Sequence, residues 1–212
     1  LNKMGIEPVI SNHERCCGHD ALWCGDHTTF RKLAGWNLEV IKSSGAKTVL
    51  FSCPEGYATF KKYYPKYFGE LPFEVLHMTE FLARELPDAG LSFQPSSAGT
   101  ITYHDPCRLG RLAGIYEPPR QLLESLPHTE LVEMERNRQN ALCCGTSAWM
   151  ACSSYSKAIQ DERLQEAALT GSQTLITACP KCQIHFSCAQ SGTDSDLKVI
   201  DLYTYLRQRL SD

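Results

Sequence analysis

The sequence predicts an α/β protein: two pseudo-repeated units of parallel βαβ elements, the first truncated at its N-terminus. Three observations carry this reading. Cys16-Cys17-Gly18 returns 127 positions on as Cys143-Cys144-Gly145, and Cys53-Pro54-Glu55-Gly56 returns 126 positions on as Cys179-Pro180-Lys181-Cys182. A further block, Phe73 to Leu82, matches Leu197 to Leu206 in the same order, and self-similarity at near-constant spacing marks a duplicated unit. Within each copy, strand-length β-branched runs alternate with helical stretches, the signature of a parallel sheet with crossover helices.

Taken in order, Asp26 to Ser44 follows the first cysteine pair as a helix, with Gly45 as its left-handed C-cap. Ala46 to Ser52 holds a strand that stops at Cys53. A helical stretch from Tyr57 to Tyr67, a strand in the block opening at Phe73 and an amphipathic helix from Thr79 to Leu86 complete the first unit. The second unit opens with the run Thr100 to Tyr103, which leads through His104-Asp105-Pro106 to Cys107. Its long helix, Ser153 to Thr170, is closed by Gly171. The strand in Ser172 to Ala178 ends at Cys179, and helices at Gln183 to Gln190 and Tyr203 to Leu210 flank the last strand. The Gly-, Pro- and Ser-rich stretch from Pro87 to Gly99 is the boundary, giving units 1–90 and 91–212. By the repeat, the counterpart of Cys107 falls about 20 residues before Leu1. With a start at leucine instead of methionine, this predicts that a strand and a cysteine of the first unit lie upstream.

Composition narrows the function. With 42% hydrophobic and 21% charged residues in 212, the chain can bury a core, which excludes disordered and fibrous classes. Lysine and arginine number 21 against 24 acidic residues, a net charge of −3, so a phosphate-tracking nucleic-acid binder is not expected. Apolar runs are strand-sized and no charged-then-apolar leader opens the chain. The expected location is cytoplasmic, or peripheral on a membrane complex. Eleven cysteines are an odd count, and four of them form adjacent pairs that bridge each other only with strain. Metal or redox use in a reducing compartment is expected over a disulfide framework.

In parallel α/β sheets, ligands collect beyond the carboxyl ends of the strands, where Cys53, Cys107 and Cys179 are predicted to sit. The second half runs Cys107, 35 residues, Cys143-Cys144, 34 residues, Cys179-x-x-Cys182. Five thiols therefore converge if the strands are adjacent. A Cys-x-x-Cys turn aims two thiolates at one metal. Spacing leaves three options: zinc, which takes four ligands and leaves a thiol spare; a redox dithiol, which needs neither Cys107 nor the pair; and an iron–sulfur cluster.

The arrangement Cys107…Cys143-Cys144-Gly145…Cys179-Pro180-Lys181-Cys182, preceded by His104-Asp105-Pro106-Cys107-Arg108-Leu109-Gly110, resembles the cysteine-rich CCG domain family across essentially the whole chain. That family includes the B and D subunits of heterodisulfide reductase and the iron–sulfur subunits of glycolate, lactate and glycerol-3-phosphate oxidoreductases. Glu133 to Asn137 and Thr28 to Ala34 are similar to the D branch. The resemblance implies a non-cubane [4Fe–4S] cluster on Cys107, Cys143, Cys144, Cys179 and Cys182, where a disulfide is cleaved in single-electron steps. In the first half the family pattern matches Cys16, Cys17 and Cys53 alone, because Gly56 stands where a second cysteine would close the motif. That half is expected to hold a second cluster with fewer thiolates, zinc, or nothing, with Cys24 or His19 as substitute ligands. Gly145-Thr146-Ser147-Ala148-Trp149 is also bulkier than the family's glycine-rich run, which implies a different substrate.

Around these sites, His104, His185 and His13 are candidate proton donors to a departing thiolate, weighed against plain loop histidines; His104 and His185 are the catalytic candidates. Arg108 and Lys181 either offset cluster charge or lie in solvent. Cys152 and Cys188 are expected to be buried and inert. Trp149, Tyr155 and Phe186 either shield a cluster or pack the core. The run Lys61 to Tyr67 reads as a solvated helix end in preference to a docking face for an acidic partner. No Gly-x-Gly-x-x-Gly after a strand and no Walker loop occurs, so no flavin or NAD site is expected. Electrons would come from a ferredoxin-like iron–sulfur partner or upstream domain, with a flavoprotein as a further partner. A catalytic component reducing a disulfide, an electron-relay component of a hydroxy-acid or acyl-CoA oxidoreductase, and a zinc-bound structural module are the three functions compatible with these residues.

Overall fold

β-branched residues crowd the helical turn but pack well on a pleated surface, and the runs at 48–49, 100–102 and 174–177 lie in strands. In the computed structural model, which describes residues 1–95, 99–146, 153–191 and 196–211, the first unit pairs β1 (Thr48–Phe51) with β2 (Glu74–His77) in parallel. The second unit pairs β3 (Thr100–His104), β4 (Glu130–Leu131), β5 (Thr174–Thr177) and β6 (Lys198–Asp201) in the order β4-β3-β5-β6, all parallel. Internal contacts divide the chain into Leu1–Phe81 and Leu82–Asp212. The duplicated α/β architecture is present: the spacing of the repeat maps β1 onto β5 and β2 onto β6.

The first unit's helices are α1 (His19–Trp23), α2 (His27–Ser44), α3 (Pro54–Ala58), α4 (Tyr64–Phe68) and α5 (Met78–Glu85). The second unit has α6 (Glu117–Glu124), α7 (Ser154–Leu169), α8 (Pro180–Gln190) and α9 (Leu202–Arg209). The long repeated helices α2 and α7 start alike. The Asp26 carboxylate accepts from Thr29 N–H at 3.0 Å and the Ser153 hydroxyl from Ser156 N–H at 3.2 Å, each satisfying a donor that a helix start leaves open. Their ends are alike too, with Gly45 and Gly171 at φ 72° and 73°.

The helix after each strand begins earlier than periodicity predicts. Pro54 and Pro180 open α3 and α8, where a missing N–H is harmless, so Cys53 and Cys179 become N-caps. The Cys179-x-x-Cys182 segment is thus a first helical turn and not a free loop. A π-helical insert (Thr59–Tyr63) joins α3 to α4, and it turns part of the basic-aromatic run inward. Tyr64 is fully buried, stacked on Phe60 at 3.9 Å between ring centres, and Lys61 Nζ donates to the Val75 carbonyl at 3.0 Å. The expected solvated helix end is in this respect corrected. The predicted boundary stretch folds back onto the second unit, where Phe93 bridges Leu210 and Gln94 N–H donates to Arg209 O at 2.7 Å.

His77, at the end of β2, is completely buried. Its Nδ1 lies 2.8 Å from Thr79 Oγ1. Burial pushes its imidazole down to about 3, against a smaller opposing pull from a hydrogen bond with the Ser52 backbone. The folded chain keeps this ring neutral, whereas the unfolded chain protonates it below about 6.5. Its contribution is therefore complete above pH 6.5 and declines as pH falls toward 3, by up to about 1.4 kcal/mol per pH unit. Chemical unfolding between pH 7.5 and 4.5 should show a steeper loss for the parent chain than for His77→Asn. Equal slopes would remove His77 from the account.

Candidate metal centre

Chain direction sets the location of the centre. From β3 the chain leaves toward β4 on one side, and from β5 toward β6 on the other, so the crevice between the carboxyl ends of β3 and β5 is the topological switch point of the sheet. His104 ends β3 and faces Thr177, the last residue of β5, in register. Cys107 follows β3 directly, Cys179 follows β5, and Cys182 sits one turn into α8.

Cys143 and Cys144 arrive on the loop between β4 and α7, which is tied down along its length. The Asp105 carboxylate accepts from both terminal nitrogens of Arg120, at 2.8 and 2.9 Å, and from Arg138 N–H at 2.8 Å. Arg120 also grips Glu133, and Arg111 donates to the Ala141 carbonyl at 2.7 Å. From α7, Arg163 donates to the Arg136 carbonyl at 2.8 Å and Glu166 accepts Arg136 N–H at 2.6 Å. Charged bonds of this kind between buried partners hold an irregular loop to a single shape.

The five thiols form one run of hydrogen-bonding contacts, from Cys107 to Cys143, Cys143 to Cys144, Cys144 to Cys182 and Cys182 to Cys179. Cys144, Cys179 and Cys182 are buried inside the apolar cluster of Met134, Leu175 and Phe186. Cys107, Cys144 and Cys182 resist ionisation mainly because a neighbour is another sulfur. Contact with Cys143 pushes Cys144 up to about 12, and contacts with Cys144 and Cys179, then burial, push Cys182 far above the thiol range. Cys107 is raised by Cys143 and by burial. Thiolates form in such a place only when a cation supplies the compensating charge.

Gly145 allows the pair to come this close. Its φ is +89°, and a Cβ there would stand 2.4 Å from the Ser156 carbonyl and 3.0 Å from His185 Nε2. Ser156 Oγ donates to the Gly145 carbonyl at 2.6 Å and lies 3.3 Å from His185 Nε2. His104 is completely buried and edge-on to Phe186 at 4.9 Å. One of its ring nitrogens is within 4.8 Å of both Cys144 Sγ and Cys182 Sγ.

In the first unit, Cys17 is part-buried and pushed up to about 12 by burial, with the charges of Cys16, Cys53 and Asp20 adding to it. Asn37 anchors this loop, accepting from Arg15 N–H at 2.8 Å and donating to Cys16 O at 3.1 Å. His19 Nε2 lies 3.5 Å from Glu55 Oε1, and His19, Asp20 and Glu55 form a second group with metal-ligand spacing among the described residues. Cys24 is exposed and outside this group. A Cβ on Gly56 would meet Phe51 Cδ1 at 3.0 Å, and Phe51 packs on Phe60 with ring centres 4.8 Å apart. The repeat places Phe51 opposite Thr177 and Gly56 opposite Cys182, so an aromatic ring takes the space next to the missing thiol.

Phe186 is core and lines the thiol cluster, while Tyr155 is 82% exposed and serves neither expected role. Cys188 is exposed, against the expectation of burial: six residues after Cys182, it lies about 240° around α8 from the core face. His13 is exposed, and its carbonyl accepts from Trp36 Nε1 at 2.7 Å. Cys152, Trp149, Ala148 and Ser147 lie outside the described residues. Sequence reasoning passed over Arg120, Arg163 and Glu166, and it gave Glu133 no role beyond the resemblance of its segment. Arg120 lies outside the repeated blocks, Arg163 and Glu166 lie in α7 without an ion-pair counterpart in the first copy to announce them, and a buried arginine has no local signature.

Comparison with known proteins gives a match to the cysteine-rich domain family CCG over residues 1–61 and 101–187. The chain is 34% identical over 217 residues to the D subunit of the dihydromethanophenazine:CoB–CoM heterodisulfide reductase of Methanosarcina acetivorans, covering 99% of this chain and 53% of that protein. It is 33% identical over 186 residues to the probable iron-sulfur-binding oxidoreductase FadF of Bacillus subtilis and 31% identical over 192 residues to the EtfAB:quinone oxidoreductase of Syntrophomonas wolfei. These two alignments each cover 86% of this chain and 26% of the relative. The chain thus spans about half the length of the heterodisulfide reductase proteins it matches and less of the other two. No described helix is long and apolar enough to cross a membrane.

Proposed function

Because this chain belongs to the CCG family of cysteine-rich domain proteins, we propose that it is an iron–sulfur component of a heterodisulfide-reductase-like oxidoreductase. Cys107, Cys143, Cys144, Cys179 and Cys182 hold a non-cubane [4Fe–4S] cluster, and a disulfide or related substrate is reduced there. The observation that supports this best is the unbroken run of five thiol contacts at the switch point. Zinc would use four of these sulfurs and leave a fifth without a metal. Five sulfurs in one run of contacts, three of them held above the usual thiol range by their neighbours and by burial, suit a polynuclear cationic group better.

When bound, the cluster supplies single-electron chemistry at sulfur. The chain's own residues bind it through the five thiolates, keep water away with Met134, Leu175 and Phe186, and fix the Cys143-Cys144 loop through Asp105, Arg120 and Arg163. Reduction of the disulfide consumes two electrons and two protons and releases two thiols. The electrons come from a ferredoxin-like iron–sulfur protein or domain. The names of the FadF and quinone-oxidoreductase relatives favour a second reading, a relay that passes electrons without touching a disulfide.

Anaerobic iron, sulfide and zinc determination with electron paramagnetic resonance of the oxidised, thiol-treated chain tests the proposal. About four irons per chain and a paramagnetic signal that changes on adding thiol are expected; roughly eight irons would mean that the first unit is also loaded. Iron with a signal indifferent to thiols favours the relay. Stoichiometric zinc without iron, in protein never exposed to air, would sink both redox readings.

A further inference from the structure

The ring of His104 is held in an orientation that decides which nitrogen carries its proton. Arg163 Nε lies 3.1 Å from His104 Nδ1. A guanidinium has donors and no acceptor, so the bond exists only if Nδ1 offers its lone pair. A neutral imidazole then carries its one proton on Nε2. Burial and the positive charge of Arg163 both disfavour a second proton. Nε2 is buried and has no hydrogen-bond partner among the described residues, and the same is true of Arg163 Nη2. Two donors deep in the core without acceptors are rare unless a bound group supplies the acceptors.

The surroundings indicate which acceptor. The His104 ring shares a pocket with Cys144 Sγ and Cys182 Sγ, and Phe186 closes one side. Spacing alone would make His104 a third ligand beside those two cysteines. Ligation through Nε2 would, however, move the proton to Nδ1 and point it at the N–H of Arg163, two donors head to head in the protein interior. Ligation through Nδ1 would break the Arg163 bond and strand a buried guanidinium nitrogen. Both cost more than leaving the ring where it is.

We propose that His104 is a positioning residue and not a ligand: Arg163 locks its Nδ1, so that Nε2–H donates a hydrogen bond to a sulfur of the cluster bound by Cys144 and Cys182 and raises the cluster's reduction potential. This rests on the cluster reading above. Hydrogen bonds to cluster sulfurs stabilise the more negative, reduced state, and burial strengthens each such bond. The arrangement also explains why an arginine from the middle of α7 is completely buried beside His104: it fixes a tautomer, with Glu166 balancing its charge at 2.8 Å.

The test has two parts. Long-range proton–nitrogen correlation spectra of the 15N-labelled chain, prepared without iron, should show His104 as a single Nε2–H tautomer; an Nδ1–H tautomer overturns the proposal. In the iron-loaded chain, His104→Phe should keep the parent iron content and lower the reduced-to-oxidised ratio at fixed potential about tenfold, equivalent to about 59 mV for one electron. His104→Gln, which can keep an amide N–H, should recover part of that shift, and Arg163→Gln should move the potential the same way as His104→Phe. Loss of iron in His104→Phe, together with a directly bonded nitrogen coupling in the parent's pulsed spectra, would make His104 a ligand and overturn the proposal. If the parent binds no iron, the cluster reading fails and the sulfur-donor role falls with it, while the tautomer spectrum still reports whether Arg163 locks the ring.

Discussion

Replacing Cys182 by serine is expected to bring the iron content from about four per chain to near zero and to abolish the paramagnetic signal. Cys182 is the middle of the buried run, in contact with Cys144 on one side and Cys179 on the other. It is also nearly without solvent, so no water can replace the lost sulfur. Even residues that only support a metal's ligands typically cost 10- to 100-fold in affinity when changed, and a central ligand costs more. Cys188→Ser is the matched control, on the same helix but exposed and facing away. Colorimetric iron determination on both variants, purified anaerobically, decides the matter. Retained iron in Cys182→Ser, or equal loss in both, would contradict the placement of the centre.

Arg120→Met should destabilise the chain by about 3–5 kcal/mol, the usual cost of leaving a buried charge without its partner. Arg120 and Asp105 are 1% and 3% exposed and bonded at two points. Arg120 also holds Glu133 and lies 5.3 Å over the Tyr103 ring. Removing it strands the Asp105 carboxylate at the carboxyl end of β3, next to the Cys107 segment. Adding Asp105→Leu should recover only part of the loss, because Asp105 also accepts Arg138 N–H from the loop that carries Cys143. Chemical unfolding of the full chain, with the double-variant cycle, measures both numbers. A loss below about 1 kcal/mol for Arg120→Met would show that the network is decoration.

What the sequence revealed and what it concealed separate along physical lines. The cysteines, β1, β2, β5 and β6, and the capped helices α2 and α7 were legible because the repeat states each of them twice and because Asp26, Ser153, Gly45 and Gly171 carry local backbone chemistry. Strand β4 was not, since two residues, Glu130 and Leu131, give no periodicity. Helix α6 opens on Glu117-Pro118-Pro119, which reads as a breaker until its Pro pair is seen in the first turn. The electrostatic frame was invisible for a different reason: Arg163 and His104 are 59 residues apart, and Arg120 and Asp105 are 15 apart. Pairings at such distances leave no trace in a single sequence. The early start of α8 shows the reverse case, where Pro180 was in view but its preference for a first helical turn was outweighed by the look of a loop motif.

The packing of Phe51 against Gly56 ties two positions of the first unit together as one unit of change. A cysteine at position 56 would set its Cβ 3.0 Å from the Phe51 ring, so it fits only where that ring gives way by a few tenths of an ångström. Exchanging Phe51 first, for a threonine like that at 177, would open a void beside Phe60 with nothing yet to fill it. Changing both together lets the new side chain at position 56 enter the space that the ring leaves. A variant that carries both changes reproduces the second unit's pattern at this site.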